Sequence, residues 1–359
     1  MKRIICLGLN GRGGTLHYAS NLTSNMAKFA ETSLLLPSYS NTKNISKKVK
    51  LLRISAPPNP FKTSLLTFNL FIHKKIIKKI NAKKPDVINI LDIHPWYVLY
   101  WHFLKAKKKI VTINDPELHS GETGFVMGLF LKFITRFLLK HADEIIVLGE
   151  NQKKIVRKLG YKQKIIVSRI GAYDFFTNNK NNFATEHKTM LFFGRIKDYK
   201  GLDYLLDACI LLKNNGEKFK LIIVGEGEIE KYMKKLNLLK NEIELHKGFV
   251  PDEKVSEYFQ RAAFVVMPYI DATQTGVVQV AYSFKKPVIA TNVGSLSEVV
   301  IDGKTGIIVP PKNVFKLSKA IKKLLRNPKK LEKMGNSIYL FLKKELDWKN
   351  IVKRLNETI

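Results

Sequence analysis

Short apolar runs alternate with longer amphipathic segments along almost the whole chain. Such runs are apolar at successive positions, so both faces of each strand must be covered, as they are in a parallel sheet flanked by helices. The pattern therefore predicts an α/β architecture. The predicted strands are 2–9, 33–37, 51–54, 85–91, 109–113, 144–148, 189–193, 219–224, 242–245, 264–267, 287–290 and 306–309.

A polar, unpatterned stretch at 171–187 interrupts the alternation, which restarts after it. We interpret it as a linker between a first domain, 1–170, and a second domain, 188–335. The helical segment 336–359, with Trp348 as an anchor, is expected to pack back toward the first domain. A chain of 359 residues suits two such domains. The prediction is two tandem Rossmann-like, doubly wound parallel-sheet domains that face each other across a cleft.

The two cysteines, Cys6 and Cys209, lie far apart in apolar segments. This argues against a disulfide framework and a cysteine metal site, and it fits a reducing compartment. The apolar run 4–9 is too short for a secretory signal, and no stretch reaches the roughly 18 apolar residues of a membrane span. We therefore expect a cytoplasmic protein, with peripheral contact to a membrane surface left open.

The net charge of +32 is uneven: residues 1–170 contain 30 Lys/Arg and 9 Asp/Glu, which gives +21. Such a field favours an anionic partner, either nucleic acid, anionic lipid or a phosphorylated substrate. The alternative is a compositional drift toward lysine. A nucleic-acid partner is not expected, because the basic runs lack interleaved aromatic residues outside 124–140.

Two cations follow the predicted strand 189–193, where Gly194 precedes Arg195 and Lys200 in a turn before a helix. Cations beside a helix N-terminus can hold a diphosphate and stabilise the charge that it gains on leaving. The alternative is a solvated basic turn.

A polar loop follows the strand 264–267 and leads into an apolar helix near Gly276. The amides of Thr275, Gly276 and Val277 are expected to face an anion at the start of this helix. The alternative, compatible with the first, is that Thr273 or Thr275 only caps the helix.

In the first domain, Asp115 and His119 follow the strand 109–113, and His94 follows the strand 85–91. Asp115 is a candidate general base, and His119 and His94 are candidates for contact with a ligand of this domain. A structural aspartate and two ordinary histidines are the alternatives.

The segment 124–140 is apolar except for Lys132, Arg136 and Lys140, which are spaced four apart. It suits a helix that lies in a bilayer interface with the cations on its wet face, or a core helix with one exposed stripe. Six lysines in 73–84 would add attraction to anionic headgroups.

Several short motifs occur in a fixed order in 189–310. They are Gly194-Arg195 with Lys200-Gly201, 224–227, Gly248-Phe249-Val250, Met267-Pro268, 286–290, and 294–298 followed by Gly303 and Gly306. Their order and spacing resemble the nucleotide-binding half of the retaining family-4 glycosyltransferases, which have the GT-B fold. The N-terminal half is similar more faintly, at Gly13-Gly14 and at 142–147.

The resemblance implies that Arg195 and Lys200 hold the diphosphate of a nucleotide-sugar donor, together with the 275–277 amides. It also implies that the backbone near Gly225, Gly248 and Phe249 faces the nucleotide, and that Gly13-Gly14 approach the donor from the opposite domain, where a Cβ would obstruct them. In the first domain it makes His119 a candidate for contact with the sugar or acceptor, and His94 an acceptor-side candidate.

One departure from the family concerns two glutamates, usually eight positions apart. Counted back from Pro287, these positions hold Ala272 and Val280. Candidate replacements are Thr273, Gln274, Gln279 and Glu298. The resemblance implies that the anomeric configuration is retained. Because a double displacement needs a carboxylate nucleophile, which both positions lack, we expect no covalent glycosyl-enzyme.

The sequence thus predicts a metal-independent glycosyltransferase without a cofactor. It would transfer a sugar from a nucleotide diphosphate to a lipid-linked or polysaccharide acceptor at an anionic membrane surface, in cell-surface glycan synthesis. The alternatives are an epimerase of the same fold, which acts on a nucleotide sugar, and a basic nucleic-acid-binding protein.

Overall fold

The computed structural model describes residues 1–57, 66–116, 125–178, 182–272 and 274–359. These residues form two compact units. The first contains the described residues up to Gly171 together with Asp347–Ile359, and the second spans Ala172–Leu346. No helix in the described ranges is long and apolar enough to cross a membrane.

The first unit contains a parallel sheet with the strand order β3-β2-β1-β4-β5-β6-β7. Helices connect the strands, and the last helix, α13, returns from the C-terminus. The strands are β1 Arg3–Leu7, β2 Glu31–Pro37, β3 Lys50–Ile54, β4 Val87–Ile90, β5 Lys108–Ile113, β6 Glu144–Val147 and β7 Lys164–Val167. The helices are α1 Gly13–Met26, α2 Leu70–Asn81, α3 Trp96–Tyr100, α4 Phe125–His141, α5 Glu150–Lys158 and α13 Trp348–Thr358.

The second unit contains a parallel sheet with the strand order β10-β9-β8-β11-β12-β13. Its strands are β8 Thr189–Phe193, β9 Lys220–Gly225, β10 Ile243–Lys247, β11 Phe264–Met267, β12 Val288–Thr291 and β13 Gly306–Val309. Its helices are α6 Leu202–Asn214, α7 Met233–Leu238, α8 Asp252–Arg261, α9 Val277–Ser283, α10 Leu296–Val299, α11 Val314–Leu325 and α12 Pro328–Phe341, with single turns at Asp174–Asn178, Asp198–Lys200 and Glu230–Tyr232 and a π-helical turn at Leu342–Leu346.

The prediction of two doubly wound α/β domains is confirmed, and all twelve predicted strands are present. The sequence pattern missed β7, whose four residues include only three apolar ones and lie at the sheet edge. Helix α1 begins at Gly13, the first residue of the Gly13-Gly14 motif.

The units divide at Gly171 and at Leu346, whereas the sequence pattern placed a linker at 171–187 and a tail from 336. Within the predicted linker, the turn Asp174–Asn178 belongs to the second unit, where the amide of Tyr173 donates to Ser283 Oγ at 2.9 Å. Helix α12 runs through position 336 without a break, so residues 336–346 stay with the second unit.

The strand order reverses once in each sheet, between β1 and β4 and between β8 and β11. In both sheets the helices on the two sides of this point lie on opposite faces, so a crevice opens at the carboxyl ends of the two strands. The loops after β1 and β4, and after β8 and β11, therefore hold the positions where a ligand is expected.

Trp348 anchors the C-terminal helix α13 in the first unit, as the sequence pattern predicted. Its ring is 5% exposed, and its centroid lies 5.7 Å from that of Tyr18 on α1. Gly171 lies directly beneath the ring, where an added Cβ would be 2.6 Å from Trp348 Cε2. Only glycine fits at 171 while the indole remains in place.

We expect Gly171→Ala to lower the melting temperature of the first unit by about 3–10 °C, because overpacking costs about 1–3 kcal/mol. Differential scanning calorimetry measures this shift. Gly14→Ala is the control, since its Cβ would meet no atom within 4 Å. Equal melting temperatures for the two variants would contradict the assignment.

Candidate active site

Glycines line the carboxyl edge of the second sheet across β8, β9 and β10. The amide of Gly194 donates to Val224 O at 3.0 Å, and the amide of Gly248 donates to Gly225 O at 2.9 Å. An added Cβ on Gly225 would lie 1.9 Å from Gly194 O. This edge is therefore bare backbone, and a ligand can approach it closely.

Close backbone contacts join the loop after β8 to the loop after β11. The amide of Ile270 donates to Tyr199 O at 2.7 Å. Gly201 has φ +69°, and a Cβ there would lie 1.9 Å from Pro268 O. The two polar loops singled out in the sequence thus meet at the point where the strand order reverses.

Lys200 lies at this junction and is only 9% exposed. Its Nζ lies 3.9 Å from the centroid of the Tyr269 ring and 5.1 Å from that of Tyr199. Ring faces attract a cation, but burial still removes hydration from the ammonium group. An anion at the sheet edge would supply the missing counter-charge. Arg195, five residues earlier, is exposed.

Three buried polar side chains that follow β11 and β12 have atoms without a hydrogen-bond partner among the described residues. They are the Tyr269 hydroxyl, both amide atoms of Gln279 and the Ser295 hydroxyl. Buried polar groups are normally paired, so each such atom calls for a ligand or water. Sequence reasoning named Gln279 as a replacement for a missing glutamate but did not single out Tyr269 or Ser295.

Side-chain oxygens accept from two backbone amides at the start of α9. The amide of Val277 donates to Thr275 Oγ1 at 3.3 Å, and the amide of Thr275 donates to Gln274 Oε1 at 3.0 Å. The N-cap residue of α9 is Gly276, so Thr275 is not the N-cap, and Thr273 lies outside the described residues. That the 275–277 amides meet an anion stays a prediction.

The two positions of the missing glutamates are both buried: Ala272 is 5% exposed and Val280 is 6% exposed. Glu298, on α10, is half-buried. Phe249, after β10, is 75% exposed at the same edge as Gly248. Its ring is available for stacking, and contact with a nucleobase stays a prediction.

In the first unit, Asp92 holds the glycine loop after β1, which sequence reasoning missed. Asp92 is buried and accepts from the amide of Asn10 at 2.5 Å and from the Tyr97 hydroxyl at 2.8 Å. The same hydroxyl accepts from the amide of Leu9 at 3.2 Å. Burial raises the pKa of Asp92 to about 6. The available signal was an acidic residue directly after the apolar strand β4.

Gly13 and Gly14 follow this anchored segment. Gly13 has φ +53°, which favours glycine, whereas Gly14 has open space around its Cα. Nothing in the described fold excludes a side chain at Gly14. That Gly14 approaches a ligand stays a prediction.

The remaining candidates from residues 1–170 are His94, Asp115 and His119. His94 is buried, its Nδ1 accepts from the Trp96 amide at 3.2 Å, and burial lowers the pKa of His94 to about 4. These contacts give His94 a structural task at the start of α3, and its acceptor-side role stays a prediction. Asp115 is half-buried directly after β5, and His119 lies outside the described residues.

A metal-binding cluster of three or more His, Cys, Asp or Glu side chains is not found in the described ranges. Arg195 and Lys200 bring two cations to the loop after β8. A phosphate-bearing ligand matches that charge.

Two family comparisons cover most of the chain. The glycosyl transferases group 1 family matches residues 175–341, and glycosyltransferase family 4 matches residues 12–169.

The chain belongs to the group 1 glycosyltransferases.

Several known proteins are similar to this glycosyltransferase in sequence or in fold. An uncharacterized glycosyltransferase of Methanocaldococcus jannaschii is 24% identical, over 89% of this chain and 85% of its own length. Sucrose-phosphate synthase from Thermosynechococcus elongatus is 17% identical, covers 100% of this chain and 98% of its own, and has a TM-score of 0.78. The Anabaena protein HepE in complex with UDP-glucose is 15% identical, covers 100% and 99%, and has a TM-score of 0.76. These neighbours show the GT-B fold.

We expect the backbone amide resonance of Asn10 in the glycosyltransferase to titrate with a midpoint near pH 6, because it reports the ionisation of Asp92. The raised pKa of Asp92 also stabilises the folded protein below about pH 4, by about 2–3 kcal/mol in the free energy of unfolding. This contribution is lost as the pH rises from about 4 to 6. Two-dimensional ¹H–¹⁵N NMR measures the midpoint.

Two variants test the assignment of this midpoint. Asp92→Asn should abolish it, and Tyr97→Phe should raise it, since the Tyr97 hydrogen bond lowers the pKa of Asp92. A midpoint near 4 in the wild-type protein would contradict the burial argument.

Proposed function

We propose that the enzyme transfers a sugar from a nucleoside-diphosphate donor bound at the carboxyl edge of β8–β11. The observation that carries this proposal is the buried Lys200 ammonium on the Tyr269 ring, beside a bare glycine edge. The UDP-glucose complex of the structural neighbour HepE supports the donor class.

Arg195 and Lys200 act on the departing diphosphate. The bond from the anomeric carbon to the phosphate oxygen breaks, and its electron pair moves to that oxygen. Because the charge there grows toward the transition state, the two cations stabilise the transition state more than the bound donor. No divalent cation takes part in this step.

The buried polar groups without a hydrogen-bond partner replace the missing glutamates as groups that bind the donor. Ala272 and Val280 offer no carboxylate, whereas Gln279, Tyr269 and Ser295 have hydrogen-bonding capacity in reserve. Donor hydroxyl or phosphate oxygens would complete those hydrogen bonds, either directly or through water. Gln274 and Glu298 complete the candidate set.

The anomeric configuration is retained without a protein nucleophile. The acceptor hydroxyl attacks the anomeric carbon from the side that the phosphate leaves, a new carbon–oxygen bond forms, and the acceptor proton passes to the departing phosphate oxygen. The acceptor is a lipid-linked sugar or a polysaccharide in cell-surface glycan synthesis.

The excess of positive charge in 1–170 supports a cytoplasmic enzyme that associates peripherally with an anionic membrane. Helix α2 turns Ile76 and Ile80 inward and exposes Lys74, Lys75 and Lys78. This exposed basic face suits lipid headgroups.

We expect Arg195→Ala and Lys200→Met each to lower kcat/KM by roughly 30- to 1000-fold, equivalent to about 2–4 kcal/mol in the barrier. Lys197→Ala is the matched control, because Lys197 is an exposed cation on the same loop. Turnover of the donor found by thermal-shift screening with UDP, GDP, ADP and TDP provides the measurement. Near-normal rates in both variants, with unchanged melting temperatures, would remove the diphosphate assignment.

We expect the first-formed glycosidic linkage to have the anomeric configuration of the donor, in buffer that contains EDTA. EDTA should not affect the reaction, because the assigned cations and the acceptor attack need no metal. Proton NMR of the early product reports the anomer. An inverted product would refute retention. A glycosyl adduct trapped on a side chain would refute the mechanism and leave the family assignment intact.

A further inference from the structure

Helix α4 exposes one continuous stripe whose members recur every three or four residues. In its first part the stripe is apolar: Val126 is 79% exposed and Phe133 58% exposed, with Met127, Leu129 and Phe130 between them. On the inner side, Ile134 and Leu138 are buried against the sheet. The helix is therefore anchored by one face while a row of large apolar side chains remains in water.

The cations of α4 continue this stripe rather than oppose it. Arg136 and Lys140 are exposed one and two turns beyond Phe133, and Lys132 lies at its flank. The cations and the apolar residues thus share the exposed side of α4, while its other side packs in the core, which fits the interpretation as a core helix with one exposed stripe. The exposed side of the helix is apolar near the N-terminus and basic near the C-terminus.

A pocket of about 560 Å³ adjoins the basic end of the stripe, between α4 and the loop 159–163. Arg136, Lys140 and Lys162 contribute cations to its lining, and no acidic residue lines it. The remaining lining residues are Leu159, Gly160, Tyr161 and Gln163.

Hydrogen bonds hold the wall of this pocket in place. Gln163 Nε2 donates to Leu139 O and Lys140 O, both at 3.0 Å. These bonds occupy carbonyls at the C-terminal end of α4, where the helix dipole would otherwise repel an anion. Arg157 also donates to Tyr161 O at 2.8 Å and so fixes the loop.

A second exposed apolar group lies near the start of α2, at Phe68, Leu70 and Phe71. Helix α3 connects it to α4, since Trp96 Nε1 donates to Thr67 Oγ1 at 3.0 Å and the Trp101 ring contacts Phe137 edge-on. Both apolar groups thus belong to the helical layer on one face of the first sheet.

We propose that this layer docks on a bilayer that contains anionic glycerophospholipid. The apolar part of α4 enters the acyl boundary, and a lipid phosphate occupies the pocket of Arg136, Lys140 and Lys162. An apolar segment about 5–10 Å deep beside a basic segment at headgroup level is the arrangement of interfacial helices. A protein partner would have to match an apolar row and three cations at once, whereas an anionic bilayer offers both chemistries to any copy. The inference rests on the membrane part of the proposed function.

Vesicle co-sedimentation without donor or acceptor tests the docking independently of catalysis. The probes are phosphatidylcholine vesicles with and without phosphatidylglycerol. The triple variant Arg136→Gln/Lys140→Gln/Lys162→Gln should lower partitioning into the anionic vesicles on the order of 10- to 100-fold. The matched control is Lys28→Gln/Lys349→Gln/Lys353→Gln, which removes the same charge from exposed positions at the α1 and α13 layer on the other face.

The variant Phe130→Ser/Phe133→Ser should also weaken binding, while the preference for anionic vesicles persists. Circular dichroism and melting temperatures confirm that each variant is folded. Equal losses in the pocket variant and its control would overturn the site, since only diffuse charge would then act. Calorimetric binding of inorganic phosphate without any vesicle preference would assign the pocket to a soluble phosphate and overturn the docking. If the wild-type protein binds anionic vesicles as expected but shows no transfer activity in a separate assay, only the proposed function is contradicted.

Discussion

The backbone junction between the loops after β8 and β11 holds Lys200 beside Tyr269 in the second crevice. Gly201 lies so close to Pro268 O that no Cβ fits, and the Ile270 amide bonds to Tyr199 O. Because Lys200 lies between these contacts, its ammonium can reach the Tyr269 ring only while the loops remain joined. The position of this ammonium group thus depends on a contact that contains no charge.

The sequence predicted the elements of this arrangement better than their contacts. Apolar runs located the strand ends, so the position of Lys200 at a crevice followed from pattern alone. Its ring partner Tyr269 lies 69 residues away, and the link from Asp92 to Asn10 spans 82 residues. Local periodicity reports which residues are apolar, but it does not report which distant loop lies beside them.

Helix α4 shows the same limit in another form. The spacing of Lys132, Arg136 and Lys140 correctly indicates one side of a helix. Which side the sheet covers depends on Ile134, Leu138 and their packing partners across the first core. The sequence therefore predicted which residues share a side of the helix, whereas only the structure shows that this side is exposed.

Completion of the first unit by α13 has a consequence for synthesis on the ribosome. The groove beside Tyr18 and Gly171 receives Trp348 only after about 180 further residues have been translated, which takes on the order of 10–35 s at about 5–20 residues per second. During that interval the nascent N-terminal unit exposes the apolar surface that the indole later covers. The second unit is translated in the same interval. The first unit, whose translation begins first, is therefore completed only when α13 follows the second unit.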